Sequence, residues 1–424
     1  MKLTSYWLDT AEPSGDYRRT PMPDRADLAV VGAGLTGVSA ALEAAKQGAR
    51  VVVVDSHTVG WGASGRNGGM ATTGLAIGLD KAIKRYGSER AITMFREYNR
   101  AVDTVEELVK EHSIDCDFER SGKLTLAMND AQFLAMRDMQ RVLADQAGYQ
   151  VGLLPGPGIH EELGSDFYAG AMVDPLGAGV HVGKLVHGLA GAAVQAGATI
   201  CEGAEVIDIA GGQGGHVVQT TRGAVQADQV LIGTSGYTGP VTPWLQRRIL
   251  PVGSFIVVTE PLPLDVAQRI LPRRRMASDN KMLTYYFRLT PDNRLLFGGR
   301  ARFALSSPDS DLKSAKILEK AVVTVFPYLE SVGIDYTWGG IVDLTLDQMV
   351  HANQRDGVHY SLGYSGHGVQ MATYMGRQMA RQILGQDASN AWEDLSFRAV
   401  PGHFGPPWFL PFIGGAAKVI DRLS

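Results

Sequence analysis

Cysteine is scarce in this chain of 424 residues, which contains only Cys116 and Cys201. The two cysteines form no CxxC pair, and no cluster of histidines lies near either of them. A disulfide framework is therefore excluded, because it needs several paired cysteines. We also expect no metal site, since zinc centres need several Cys or His ligands close together.

Charge of one sign and long apolar runs are missing as well. The chain has 40 basic and 44 acidic residues, a formal net charge of −4, and no long run of like charges. We therefore expect no nucleic-acid partner. The apolar stretch 28–42 ends at Glu43, short of the roughly 20 residues that a membrane span needs. The N-terminal stretch lacks the apolar core of a signal peptide, so we expect a cytoplasmic protein without a membrane span.

Glycine, by contrast, is abundant. It accounts for 51 of the 424 residues, or 12%, against about 7% in average proteins. Residues 60–70 read GWGASGRNGGM, with five glycines in eleven positions. Such a loop accepts a large entropy loss on ordering in exchange for a backbone without side chains. We expect it to bring a ligand close to its backbone.

The segment 27–55 has the pattern of a β-α-β unit. An apolar run over 27–31 predicts a strand, and apolar residues at helical spacing from Val38 predict the helix that follows. The run over 49–55 is apolar on both faces, which is typical of a central parallel strand. Strand, turn, helix and strand thus occur within about 30 residues, the size of one such unit.

Its turn carries the spacing G-x-G-x-x-G of a dinucleotide fingerprint. Gly32 would make the tight turn, Gly34 would let a pyrophosphate approach the backbone, and Gly37 would let the helix pack on the strand. The N–H groups at the helix N-terminus would face the phosphates. Asp55, at the end of the second strand, would accept hydrogen bonds from ribose hydroxyls. An ordinary β-α-β unit with a glycine turn is the alternative.

The fingerprint does not separate FAD from NAD, but two further glycine-rich loops favour a longer cofactor. One is 60–70, and the other is the turn Gly366-His367-Gly368 before a helix predicted to begin near Val369. The N–H groups of that helix would stabilise negative charge on a reduced ring. A helical turn without a ligand explains the second loop equally well. A pyridine-nucleotide dehydrogenase and a non-enzymatic nucleotide-binding module remain the competing hypotheses.

Five segments together resemble the D-amino-acid oxidase/glycine oxidase/sarcosine oxidase superfamily of FAD-dependent amine oxidoreductases. They are VVGAGLTGVSAALEAAKQGARVVVVD, GWGASGRNGG, PVGSFIVVTEPL, YYFRLTPDNRLLFGGR and GYSGHGV. GASGRNGG and LLFGGR also occur in the γ-glutamylputrescine oxidase-like branch. The resemblance extends over residues 25–385 and implies an extended, bound FAD.

The resemblance also implies which residues contact FAD. The pyrophosphate and ribityl chain would lie along the opening loop, the adenine at the Val206 backbone, and the flavin ring beside Gly68, Gly69 and Met70. The flat ring and its chain would then fill the space that side chains would otherwise occupy. The expected cofactor-binding residues are Gly32, Gly34, Gly37, Asp55, Ala63, Ser64, Arg66, Asn67, Gly68, Gly69, Met70, Val206, Thr234, Gly236, Gly366, His367, Gly368 and Val369.

The sequence departs from some members of the superfamily in two segments. Those members tether FAD through a cysteine in the segment matching 339–349, which here has none, so we expect non-covalent FAD. They also carry a lysine thought to assist oxygen reduction, whereas the matching segment 294–299 reads RLLFGG. We expect O2 as the electron acceptor, with another acceptor as the alternative.

The strand-like run 285–288 supplies candidates for the substrate wall. Strand alternation puts Tyr286 and Arg288 on one face, and Tyr285 and Phe287 on the other. Tyr286 could orient an amine by cation–π contact, and Arg288 could hold a substrate carboxylate through a bidentate bond. An aromatic strand with a surface arginine is the plainer alternative. His367 is a third candidate catalytic residue, while Arg66, Arg300 and Trp338 have no assigned role in the chemistry.

We therefore expect an α/β fold. It comprises a Rossmann-like FAD-binding domain that is discontinuous in sequence (1–88, 176–236 and 342–424) and a mostly antiparallel β-sheet substrate domain with helices (89–175 and 237–341). The expected reaction oxidises the C–N bond of a small amine or N-substituted amino acid to an imine. Candidate substrates are γ-glutamylputrescine-like amines and sarcosine- or iminodiacetate-like secondary amines. An arginine that contacts a substrate carboxylate would favour the sarcosine- or iminodiacetate-like amines. An apolar tunnel lined by tyrosines would favour the γ-glutamylputrescine-like amines.

Overall fold

A computed structural model describes residues 1–405 and Trp408, apart from Gln213, Met282 and 300–304. The helices are α1 (Tyr6–Thr10), α2 (Leu35–Lys46), α3 (Leu79–Tyr86), α4 (Ser88–Glu111), α5 (Asp130–Ala147), α6 (Val182–Gln195), α7 (Pro243–Gln246), α8 (Leu264–Ile270), α9 (Pro308–Val325) and α10 (Gly368–Ile383). No helix in this part of the chain combines the length and apolar composition that a membrane crossing requires.

The strands form two large sheets and one short ribbon. They are β1 (Arg25–Val31), β2 (Val51–Val54), β3 (Met70–Ala71), β4 (Lys123–Ala127), β5 (Gly152–Pro155), β6 (Gly170–Asp174), β7 (Ala178–Gly179), β8 (Thr199–Cys201), β9 (Val206–Gly212), β10 (Gly215–Thr220), β11 (Gly223–Ile232), β12 (Leu250–Thr259), β13 (Met276–Asp279), β14 (Tyr285–Leu289), β15 (Leu295–Gly299), β16 (Ile334–Leu344), β17 (His351–Arg355) and β18 (Val358–Leu362).

The first sheet has the parallel centre that the sequence predicted. Its order is β17-β18-β11-β1-β2-β8, and β1 pairs in parallel with both β11 and β2. All four valines of β2 are buried. Val51 and Val53 pack in a core that includes α2 and α6, and Val52 and Val54 pack in a second core that includes residues of β9 and β10. The strands of this sheet come from distant parts of the chain, and the antiparallel β9 and β10 extend it beside β11.

The second sheet has the order β16-β12-β15-β14-β13-β4-β6-β5. Its pairs are antiparallel apart from β13 with β4. One face packs on α9 and α8 around Phe255, Phe287 and Phe297, which form the centre of a separate core. The other face turns toward the first sheet. The predicted fold class is confirmed, while the predicted domain boundaries stay a prediction; β16 continues to Leu344, past the expected boundary at 341.

Candidate functional site

One cavity of about 1400 Å³ runs between the two sheets. Gly32, Gly34 and Asp55 line it where the strands of the first sheet end, and Thr125 and Ser278 line it on the second sheet. Pockets for a single drug-sized ligand measure about 300–1,000 Å³. The cavity therefore has room for a long cofactor together with a second molecule.

The fingerprint glycines leave no space for side chains. A Cβ added at Gly37 would lie 1.8 Å from the carbonyl oxygen of Gly32, and one at Gly34 would lie 2.8 Å from Ser64 Oγ. Gly32 has φ +107°, a conformation that residues with a Cβ rarely adopt. Helix α2 thus begins directly at the cavity, with Gly34 as its N-cap.

Asp55 stands at the end of β2, on the same side of the cavity. Its carboxylate accepts hydrogen bonds from the backbone N–H groups of Ala33 and His57, both at 2.7 Å. Burial raises the pKa of Asp55, and these two hydrogen bonds oppose the rise. A carboxylate oriented in this way next to a helix N-terminus fits the ribose and pyrophosphate of a dinucleotide.

Three side chains outside the glycine-rich loop 60–70 hold it by donating hydrogen bonds to its backbone carbonyls. The Ser5 hydroxyl donates to Gly65 O at 2.6 Å. The indole N–H of Trp7 donates to Asn67 O at 2.7 Å, and that of Trp338 donates to Arg66 O at 3.0 Å. Both indoles are fully buried. These bonds fix the loop carbonyls and leave Ala63 and Ser64 facing the cavity.

The structure gives a different reason for the loop glycines from the one expected. At Gly65 a Cβ would lie 2.4 Å from Gly60 O, and at Gly69 it would lie 2.5 Å from Val180 O. At Gly68 it would lie 2.9 Å from the Tyr286 ring. Protein atoms, rather than space left for a ligand, occupy the positions of these missing side chains. The glycines let the loop pack closely against its own fold.

Tyr286 forms the wall of the cavity at the second sheet. Its hydroxyl is 2.9 Å from Ser254 Oγ, and either group can donate. Strand alternation is confirmed here, because Tyr285 and Phe287 pack in the core on the opposite face. Tyr286 is half-buried and lines the cavity.

Arg288 shares the face of Tyr286 but not its surroundings. The Arg288 side chain is buried, and it does not line the cavity. Its Nη1 donates to Gly69 O and, at 3.1 Å, to Val180 O. Burial lowers the pKa of this guanidinium to about 10. That Arg288 holds a substrate carboxylate stays a prediction, and the Nη1 and Nε donors of this side chain are turned to backbone carbonyls.

The turn before α10 joins three elements at the cavity. Gly363 N donates to the Asp343 carboxylate at 2.7 Å, which ties the turn to β16. The Tyr364 hydroxyl lies 2.7 Å from Thr36 Oγ1 and so ties it to α2. His367, the N-cap of α10, lines the cavity with its ring 5.7 Å from that of Tyr98. The first N–H groups of α10 therefore lie at the cavity wall.

Beyond Tyr286 the cavity continues into an apolar section. Phe95 from α4, Met136 and Met139 from α5, and Met172 from β6 line this part. Lys123 is also among the lining residues, on β4. The sequence does not predict this section, because α4, α5, β4 and β6 meet only in the folded chain.

Most of the expected site residues line the cavity. Those that do are Gly32, Gly34, Asp55, Ala63, Ser64, Arg66, Asn67, Gly68, Met70, Val206, Thr234, Tyr286, Gly366, His367, Gly368 and Val369. Those that do not are Gly37, Gly69, Gly236 and Arg288. Arg300 lies outside the described residues. No cluster of three potential metal ligands occurs in the described part of the chain.

Comparison with known proteins decides the family. The family described as FAD dependent oxidoreductase (DAO) matches residues 27–382. The chain belongs to this family. Gamma-glutamylputrescine oxidoreductase of Escherichia coli K12 is 33% identical over 431 residues, covering 99% of each chain.

Solved structures of other proteins share the fold of this chain. Glycine oxidase from Geobacillus kaustophilus superposes with a TM-score of 0.73 at 23% identity, covering 89% of this chain and 99% of that one. Iminodiacetate oxidase from a Chelativorans species superposes with a TM-score of 0.70 at 17% identity, covering 88% and 100%. At these identities the superpositions show the fold alone.

Membership of the FAD dependent oxidoreductase family decides between the cofactors that the fingerprint left open. The residues present fit FAD: a helix N-terminus without side chains at Gly34, an oriented carboxylate at Asp55, and a second helix N-terminus at Gly368 all face one cavity. Cys116 and Cys201 are buried, and neither lines that cavity. A cysteine tether to the cofactor therefore has no candidate among the lining residues.

Proposed function

We propose that this protein oxidises a C–N bond of a small amine with bound FAD. FAD, when bound, supplies the acceptor for a hydride equivalent from the carbon next to nitrogen. The amine becomes an imine, and water then hydrolyses the imine to a carbonyl compound and an amine. The two electrons pass to O2, which leaves as hydrogen peroxide.

The observation that supports this proposal is the continuity of the cavity. The stretch lined by the fingerprint, the opening loop and the N-terminus of α10 suits a dinucleotide. The same cavity goes on past Tyr286, where a second molecule would lie against the aromatic ring. An aromatic wall with a hydroxyl can orient an amine and hold it close to the cofactor.

The lining favours γ-glutamylputrescine-like amines over sarcosine- or iminodiacetate-like ones. A short carboxylated amine needs a cation close to the reacting nitrogen, and Arg288 is engaged with Gly69 O and Val180 O. The section formed by Phe95, Met136, Met139 and Met172 instead suits a chain of methylene groups. The E. coli relative at 33% identity is named for γ-glutamylputrescine, which agrees with this choice.

An amine panel tests the substrate class. The FAD-loaded protein is mixed without oxygen with γ-glutamylputrescine, putrescine, sarcosine and iminodiacetate, and the visible flavin band is followed. We expect γ-glutamylputrescine to bleach the band at the lowest concentration. Bleaching by sarcosine or iminodiacetate alone would replace this substrate class with the second one.

The electron acceptor is tested with the same samples. Air is admitted to the bleached protein, and hydrogen peroxide is measured with a coupled peroxidase. An oxidase recovers its colour within the time of one turnover and forms one peroxide for each amine consumed. Slow recovery, with fast recovery on adding an artificial electron acceptor, would assign a flavin dehydrogenase instead.

A further inference from the structure

A lysine deep in the cavity carries a charge that the described chain leaves unpaired. Lys123 begins β4, and strand alternation sends Lys123 and Thr125 to the cavity while Leu124 and Leu126 enter the second core. Lys123 is half-buried and is one of the residues that line the cavity. Its ammonium makes no hydrogen bond or ion pair with the described residues.

The nearest carboxylate is occupied by other donors. Asp174 stands opposite Lys123 in the β4–β6 register. Its oxygens accept hydrogen bonds from the Thr73 hydroxyl, from Tyr149 OH at 2.7 Å and from Leu176 N at 2.9 Å. Asp174 is therefore a negative charge near Lys123 that makes no hydrogen bond to it. Burial lowers the pKa of Lys123, and the smaller effect of the Asp174 charge raises it.

Other cations that line the cavity are engaged or exposed. Lys281 pairs with Asp279 at 2.9 Å. Arg66 donates from Nε to Trp61 O at 2.7 Å. Lys81 is exposed to solvent at the cavity edge. Lys123 is thus the buried cation whose donors are free for a ligand, and a buried ammonium without a partner is costly.

The strand pairing gives the approximate distance between Lys123 and Tyr286. Tyr286 is paired with Ser278, and Ser278 with Thr125, two residues along the strand from Lys123. Strands lie about 4.8 Å apart and residues along a strand about 3.4 Å, so the Cα atoms of Tyr286 and Lys123 are on the order of 12 Å apart. Met172 of the apolar section is paired with Thr125, which lies within this interval.

We propose that Lys123 binds a carboxylate of the substrate at the end remote from the reacting amine. This assignment rests on the proposed amine oxidation. A cation inside a site for amines would repel its substrate unless the substrate brings a negative group to it. The substrate class is therefore an ω-amino compound whose carboxylate is separated from the amine by an extended chain, as in a γ-glutamyl polyamine. Sarcosine and iminodiacetate are too short to reach both ends.

The test compares Lys123→Met with wild type on two substrates, γ-glutamylputrescine and its α-carboxamide, which differ by one negative charge. Loss of one partner of a buried charge pair weakens binding by about 30-fold or more. We therefore expect the KM of Lys123→Met for γ-glutamylputrescine to rise by about 30-fold with kcat little changed. The carboxamide should show the same KM with both proteins. Lys123→Arg should recover part of the loss.

Binding without turnover supplies an independent readout. γ-Glutamyl-n-butylamide keeps the carboxylate but lacks the terminal amine, and its Kd for the FAD-loaded protein is measured by calorimetry. The Kd should rise in Lys123→Met and stay unchanged in Lys316→Met, which removes an exposed charge on α9 outside the cavity. If Lys123→Met folds poorly, Lys123→Gln is used in the same assays.

The outcomes separate this assignment from the proposed function. If no amine bleaches the wild-type flavin, the proposed amine oxidation fails. If γ-glutamylputrescine bleaches it, but Lys123→Met binds the butylamide as tightly as wild type, the role of Lys123 alone is overturned. The role of Lys123 is also overturned if Lys123→Met slows flavin reoxidation equally with both substrates and leaves KM unchanged. Lys123 would then act on oxygen rather than on a carboxylate.

Discussion

The ring of Tyr286 lies over Gly298 of the neighbouring strand, in the space that a side chain at that position would need. A Cβ added at Gly298 would be 2.3 Å from two ring atoms of Tyr286. A Cβ added at Gly68 of the opening loop would lie 2.9 Å from an atom of the same ring. Two glycines from distant segments therefore set the position of a tyrosine that lines the cavity.

Gly298→Ala should displace Tyr286 and slow catalysis. Misplacement of a wall residue by about 1 Å can cost on the order of 100-fold in rate, so we expect kcat/KM to fall by about that factor. FAD content, read from the visible spectrum, should be retained. Gly212→Ala is the matched control, because a Cβ there meets nothing within 4 Å. Equal activity of the two variants would show that the wall does not depend on this contact.

The dinucleotide half of the site could be predicted because its signals are local. The strand, turn and helix around Gly32 and the acid at Asp55 lie within one short segment, and local spacing fixes their geometry. The predicted helix at 88–112 was likewise confirmed as α4, because its apolar stripe follows the helical period.

The part of the cavity along the second sheet could not be predicted in the same way. Lys123 and Asp174 face one another only because β4 and β6 pair across about fifty residues of chain. Trp7 reaches the opening loop from a five-residue helix with no sequence signature of its own. The alternation in β14 did place Arg288 on the correct face, but only the tertiary packing shows that backbone carbonyls take up its donors.

FAD affinity should depend on the ionisation of Asp55. Burial raises the pKa of this carboxyl in the unliganded protein. The ionised form is the better acceptor for ribose hydroxyls, so affinity is full above the raised pKa and falls as the pH drops through it. Asp55→Asn should weaken FAD binding by about tenfold or more and remove this pH dependence.

The measurement is the Kd of FAD from its fluorescence on mixing with apoprotein, taken across the acidic range for wild type and Asp55→Asn. An affinity that falls equally with pH in both proteins would place the titrating group elsewhere.

Arg288→Met should loosen the loop rather than abolish a substrate contact. It removes the Nη1 donor to Gly69 O and Val180 O, and loss of such buried hydrogen bonds costs about 1–3 kcal/mol. We expect a lower Tm and faster FAD release, with a KM that changes no more for carboxylated amines than for uncharged ones. Arg25→Met is the control, since Arg25 is an exposed partner of Asp228 at 3.6 Å and such pairs contribute about 0–1 kcal/mol. A KM increase confined to carboxylated amines would restore Arg288 as a substrate ligand.

We propose that one cavity holds FAD and an amine within reach of each other. The most direct test is an anaerobic titration of the FAD-loaded wild-type protein with γ-glutamylputrescine, followed by visible absorption. The account predicts that the flavin band disappears with about one equivalent of amine and that a carbonyl product is released. A flavin band that stays unchanged at saturating amine, for this substrate and for the rest of the panel, would contradict it.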